Sequence, residues 1–113
     1  MYEKVFVMTE TEDNKKVGFE RLRVFHVAYA ASVEIHKKTL KFPSIEQYAL
    51  ADQIRRASKS ICANVAEGYA RQTYTKADYR WYLLMALGSN DEMRVWLRYA
   101  LDLGYIFPEE WEK

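Results

Sequence analysis

The chain has 113 residues, half of them apolar, with 17 Lys plus Arg against 16 Asp plus Glu. That length fits one compact soluble domain and leaves no room for a second. Four Gly, two Pro and one Cys exclude a disulfide scaffold, a collagen-like repeat and a zinc module built on cysteines, and a reducing compartment fits best.

Residues 1–8 have no sustained apolar run behind a basic start, and no stretch approaches the roughly 18 apolar residues of a membrane span. The sequence therefore predicts an untargeted, cytoplasmic protein. Residues 8–18 are polar and aperiodic, which predicts a mobile N-terminal arm over 1–18 ahead of a helical domain over 19–113. From residue 19 to about 40, Leu22, Phe25, Tyr29, Val33 and Leu40 recur at helical steps, which predicts a first helix. Phe42-Pro43 stops it, because Pro lacks the amide donor and disfavours helical geometry in the residue before it.

Ser44 with Gln47 three residues on has the form of a capping box for a second helix over about 45–67. Its Leu50, Ile54, Ala57, Ile61, Val65 and Gly68 fall on one stripe at 100 degrees per residue, and Gly68 reads as its stop. The opposite row of Arg56, Ser60, Ala63 and Glu67 has small residues in its middle, so this helix is expected to pack on two sides. Thr75 with Asp78 opens a third helix over about 76–102, ended by Gly104. One of its sides carries Ala77, Trp81, Leu84, Gly88 and Val95, another Tyr79, Tyr82, Ala86, Met93, Leu97 and Leu101. A helix this apolar all round is expected in the middle of a bundle or at a subunit interface. Pro108-Glu109-Glu110-Trp111 has the form of a helix start, with Pro in the first turn and acids near its positive end. With no strand alternation, internal repeat or Gly-rich phosphate loop, the predicted fold class is all-α.

The near-neutral total hides an asymmetry. Residues 1–18 carry three bases against four acids and residues 108–113 one against three, leaving thirteen against nine for residues 19–107. Residues 53–80 supply that whole excess of four, through Arg55, Arg56, Lys59, Arg71, Lys76 and Arg80 against Glu67 and Asp78. Arg71, Lys76 and Arg80 interleave with Tyr69, Tyr74, Tyr79, Trp81 and Tyr82, a pattern in which cations meet phosphates while bases stack on exposed rings. Arg55, Arg56 and Lys59 lie within about 100 degrees of one another on the second helix, away from its apolar stripe. Tyrosines at helical spacing also serve as core or interface residues, and cations as a solvated face.

Catalysis finds less support. His26 and His36 are ten residues apart with no carboxylate at the spacing of a metal site, and both read as surface or half-buried side chains. Cys62 sits in an Ala-rich stretch where a lone thiol acts as a small apolar group. Glu67 and Glu92 are an acid/base pair in principle, but inside a bundle such residues more commonly accept hydrogen bonds or pair with an Arg such as Arg71 or Arg94. The chain is expected to be no enzyme and to need no cofactor or metal.

Several strings carry a likeness. Phe19-Glu-Arg-Leu22-Arg-Val24, Phe42-Pro43 followed by Glu46-Gln-Tyr48-Ala-Leu50, Gln53-Ile-Arg-Arg56-Ala57, Asn64-Val-Ala-Glu67-Gly68 with Arg71, and Ala86-Leu-Gly88-Ser89 with Glu92 resemble the four-helix-bundle proteins encoded in intervening sequences of bacterial 23S ribosomal RNA genes, loosely termed S23 ribosomal proteins. The resemblance spans about residues 19–107. It implies an antiparallel up-down bundle assembled as a homopentameric ring. It also implies kinship with the accessory protein of diversity-generating retroelements, a basic barrel that binds nucleic acid and a reverse transcriptase. By the same resemblance Asn64, Glu67, Gly68, Arg71, Gly88, Ser89 and Glu92 form a structural polar network between the second and third helices, with small residues at close approaches. The family pattern continues through a complete fourth helix where this sequence stops at Lys113, so the expected bundle is of four-helix type with its last helix truncated. The expected function is that of an oligomeric, non-enzymatic module that binds RNA or DNA through Arg55, Arg56, Lys59, Arg71, Lys76 and Arg80, and serves as a scaffold. The alternative is a protein-interaction bundle with no nucleic-acid role.

Overall fold

Four helices account for most of residues 18–111, the part of the chain that the computed structural model describes: α1 (Arg23–Thr39), α2 (Leu50–Arg71), α3 (Lys76–Asp102) and the short α4 (Pro108–Trp111). Turns of 3-10 helix occupy Gly18–Arg21 and Ser44–Glu46. The described residues contain no strand, so the fold is an all-α, up-down bundle of three long helices. The arm expected over 1–18 lies outside the described residues except for Gly18.

The sequence of α2 explains why it is central. Ile54, Ala57, Val65 and Gly68 of its apolar stripe are buried, with Leu50 and Ile61 partly so. It packs against both α1 and α3, which make no substantial contact with each other. Within the described residues the middle position therefore belongs to α2 and not to α3, for which the sequence offers either that place or a subunit interface. On α3 the side with Tyr79, Tyr82, Ala86, Met93, Leu97 and Leu101 is covered, while Trp81, Leu84, Gly88 and Val95 are exposed. Small residues decide this arrangement, because they let two helices approach α2 at once.

Helix α1 uses a different face from the one its large residues suggest. Tyr29, Val33 and Leu40 are exposed, whereas Val24, Ser32 and Thr39 are buried and Ala28 and Ile35 partly buried. The contact with α2 is thus made of small and β-branched residues, including a buried Ser32–Ser58 hydroxyl pair at 3.2 Å. On the other side of α2, Ser60 bonds Ser89 of α3 at 2.8 Å. These two serine pairs separate two apolar clusters. One gathers Phe42, Ala51, Ile54, Ala100 and Ile106, and the other Leu22, Val24, Val65 and Ala86.

The helix ends follow local chemistry, with two departures from the reading of the sequence. Ser44 makes no capping bond, the chain takes one 3-10 turn after Pro43, and α2 starts only at Leu50. Gly68 does not stop α2, which continues to Arg71. It is buried inside the helix, and a Cβ added there would lie 2.9 Å from Cβ of Tyr82, so close approach to α3 is what requires glycine. At α3, Thr75 Oγ1 accepts from the Asp78 amide at 3.0 Å, an N-cap. Its far end closes at Gly104 (φ +80°), with Tyr105 N donating to Ala100 O at 2.8 Å and Gly104 N to Leu101 O at 3.1 Å, a Schellman motif.

Because α1 and α3 flank α2 without meeting, an open apolar groove of about 250 Å³ runs between them, lined by Val27, Ala31 and Ile35 of α1, Leu87 and Met93 of α3, and Ile61 of α2.

Candidate nucleic-acid interface

The six basic residues singled out in the sequence fall into two groups, separated by most of the length of α2. Arg71 is sixteen residues further along α2 than Arg55, about 24 Å of helix. The α2–α3 hairpin brings Arg71, Lys76 and Arg80 together around an exposed turn in which every residue from 70 to 78 is solvent-accessible. Arg71 Nη2 lies 3.2 Å from Oε1 of Glu67, one helical turn back, and the guanidinium stands 5.7 Å over the ring of Tyr82. Lys76 and Arg80 are exposed and have no ion pair among the described residues. Tyr74 and Trp81 of the same region are 78% and 60% exposed, whereas Tyr69, Tyr79 and Tyr82 are partly covered by the α2–α3 contact.

The second group is not uniform. Arg56 projects into solvent beside Asp52 at 3.7 Å, and Lys59 is exposed without an ion pair among the described residues. Arg55 is different. It is half-buried, and its guanidinium bonds Gln47 O at 2.6 Å, Thr39 Oγ1 at 3.1 Å and Gln47 Oε1 at 3.2 Å. Gln47 in turn donates to Thr39 O at 2.8 Å and Phe42 O at 3.0 Å. Residue 47, read in the sequence as a capping-box partner, instead ties together the α1–α2 connection, and Arg55 holds it there. Periodicity gives no signal for such a clamp; the one hint is a Gln and an Arg eight residues apart beside Phe42-Pro43.

The residues expected as an interhelical polar network are placed as follows. Asn64 Nδ2 donates to Ser60 O at 2.9 Å and Ser60 Oγ at 3.1 Å, and Ser60 carries the contact to Ser89. Glu67 is held by Arg71, and Glu92 accepts from Trp96 Nε1 at 3.2 Å. Gly68 makes the close approach to Tyr82, while Gly88 is exposed and a Cβ there would meet nothing within 4 Å. Helix-to-helix bonding thus passes through Ser60 and Ser89, and Ser60 was absent from the motif. Burial raises the Cys62 thiol pKa above its ordinary value, which disfavours the nucleophilic thiolate. Among the described residues no group of three His, Cys, Asp or Glu is placed to hold a metal ion, and no helix is long and apolar enough to cross a membrane.

A family model described as 23S rRNA-intervening sequence protein matches residues 20–113, which spans all the helices described above. The chain belongs to that family. No curated protein sequence matches the chain. Membership in the 23S rRNA-intervening sequence family places the protein among non-enzymatic helical-bundle proteins.

Proposed function

We propose that the protein binds RNA or DNA as an oligomer, chiefly through Arg71, Lys76 and Arg80 at the α2–α3 turn, with Arg55, Arg56 and Lys59 extending the basic surface along α2. The observation that carries this reading is the pairing of two cations that have no ion pair among the described residues, Lys76 and Arg80, with the exposed rings of Tyr74 and Trp81 in one turn region. Cations bind phosphates and open aromatic faces stack bases. The resemblance to the S23-like and retroelement accessory proteins supports a cytoplasmic homopentamer in which the turn is repeated around a ring, and a scaffolding role toward a reverse transcriptase or another protein. The open groove between α1 and α3 supports burial against a further helical surface.

Filter binding to a structured RNA across a salt series tests the first part. Affinity is expected to fall steeply as salt rises, and absence of binding at low salt refutes it. Solution mass by light scattering tests the second, with five copies expected and a monomer excluding the ring. The alternative, a protein-interaction bundle, is favoured by Ile45 and Tyr48, 82% and 95% exposed beside the α1–α2 connection. It requires a protein partner whose capture survives nuclease treatment.

A further inference from the structure

Arg55 has only neutral acceptors. Its three bonds go to a hydroxyl, a side-chain amide and a backbone carbonyl, so its positive charge is solvated without being neutralised, and two of its five N–H groups have no partner among the described residues. Lys59 stands one helical turn further along α2, exposed and without an ion pair there. His36 approaches from α1. It lies one turn before Thr39, whose hydroxyl donates to His36 O at 2.7 Å while accepting from Arg55. Partial burial, then the charges of Lys59 and of Arg55, hold the His36 imidazole below its ordinary pKa.

The carboxylates of the surrounding elements are engaged elsewhere. Glu34 of α1 is held by Lys38 at 3.4 Å, Asp52 of α2 lies 3.7 Å from Arg56, and Glu46 of the 3-10 turn accepts from Tyr105 at 2.8 Å. The charged groups that α2 brings to His36 are therefore Arg55 and Lys59, with Lys37 and Lys38 adjoining it on its own helix. The Ser32–Ser58 and Thr39–Arg55 contacts bracket His36, so that it faces the stretch of α2 carrying Arg55 and Lys59, and no carboxylate of the described residues pairs with either cation.

We propose that His36, Arg55 and Lys59 form a binding site for a phosphodiester group of nucleic acid, and that His36 makes this binding pH-dependent. The inference rests on the nucleic-acid reading above and deepens it, adding His36 to Arg55 and Lys59 as a defined phosphate contact at the far end of that surface from the α2–α3 turn. An anion seated here favours the imidazolium, so binding tightens as pH falls through the ring's pKa and, by linkage, the bound anion raises that pKa.

Two probes separate the site from the wider reading. In the full chain, proton NMR of the His36 ring during titration with dimethyl phosphate, a diester of constant charge over this range, is expected to show a saturating shift and a raised ring pKa. Sodium chloride at the same ionic strength is expected to show neither. With an RNA hairpin, affinity is expected to rise from pH 7.5 to pH 5.5 by roughly two- to fivefold more in the native chain than in His36→Gln, the range of an exposed charge pair. Lys59→Gln, an exposed substitution, is expected to weaken binding at both pH values by a similar factor. A His36 signal indifferent to dimethyl phosphate, or full pH dependence retained in His36→Gln, overturns the site. No RNA binding at either pH overturns the nucleic-acid reading and the assigned ligand, even where the ring still responds to the small diester.

Discussion

Arg55 and Arg71 lie on one helix and would be interchangeable in a count of charge, yet they sit in opposite kinds of surroundings. Around Arg55 the chain is tightly determined. Phe42, Ala51, Ile54, Ala100 and Ile106 are buried together, Gln47 and Arg55 tie the α1–α2 connection, and Tyr105 reaches back to Glu46 across 59 residues. Around Arg71 the α2–α3 turn is exposed throughout and is fixed mainly by the Thr75 cap and the hairpin itself. One end of the molecule uses its polar groups to define the fold. The other presents them to solvent, where they are available to a partner. Substitutions in the buried cluster of the first end and in the exposed turn of the second should therefore separate stability from binding.

The largest effect is expected at Ile54, which has no exposed surface and lies at the centre of the first cluster. Ile54→Ala should cost about 2–5 kcal/mol through lost transfer energy and a residual cavity. That is a large share of the roughly 5–15 kcal/mol available to a domain of this kind. A denaturant midpoint unchanged from the native chain would mean that this end is not the anchor described. Next comes Gly68→Ala. The added Cβ meets Cβ of Tyr82 at 2.9 Å, an atom fixed to the α3 backbone, so the helices must separate. Overpacking of this kind costs about 1–3 kcal/mol, against which the better helix propensity of Ala returns at most about 1 kcal/mol. A net gain in stability would show that α2 and α3 are free to move apart.

Gly68 also shows where the sequence was legible and where it was not. The helix count, the end of α3 at Gly104, the Thr75 cap and the apolar stripe of α2 follow from spacing and from residue chemistry that acts locally. A glycine near the end of an apolar stripe reads as a stop by the same local logic. Its true role depends on Tyr82, fourteen residues away on another helix, which no local rule contains. The face that α1 buries is set by a similar non-local choice. Its periodic large residues Tyr29 and Val33 stay exposed, because close packing on α2 selects Ser32, Ala28 and Thr39. At the candidate interface, sequence reasoning grouped six cations by type. Only tertiary contacts distinguish Arg55, bound to Gln47 and Thr39, from Lys76 and Arg80, bound to nothing described.

A smaller effect is expected at Tyr105. Its phenol donates to Glu46 at 2.8 Å, and this bond, then partial burial and the Glu46 charge, raises its pKa above the ordinary value. A folded-state pKa raised in this way contributes stability that is present below the unfolded value, about 10, and is lost as pH rises through the folded value. Tyr105→Phe should therefore be less stable than the native chain at neutral pH, with the difference shrinking above about pH 10. A difference that grows with alkalinity would contradict the assigned donor.

The smallest effect on stability, and the largest expected on binding, belongs to the triple substitution Arg71→Gln, Lys76→Gln and Arg80→Gln. All three side chains are exposed, and among the described residues only Arg71 has an ion pair, of the exposed i,i+4 type. Such pairs contribute about 0–1 kcal/mol, so the unfolding midpoint should barely move. RNA affinity should fall and lose salt sensitivity, because each phosphate contact removed lowers the log–log salt slope by about 0.7–0.9. A slope smaller by about two to three would place all three cations on phosphates. An unchanged slope with an unchanged midpoint would move the interface to the opposite end of α2, where Lys59 and His36 stand beside the occupied Arg55. The contrast between the two ends would then fail, because the end that defines the fold would also be the end that holds the partner.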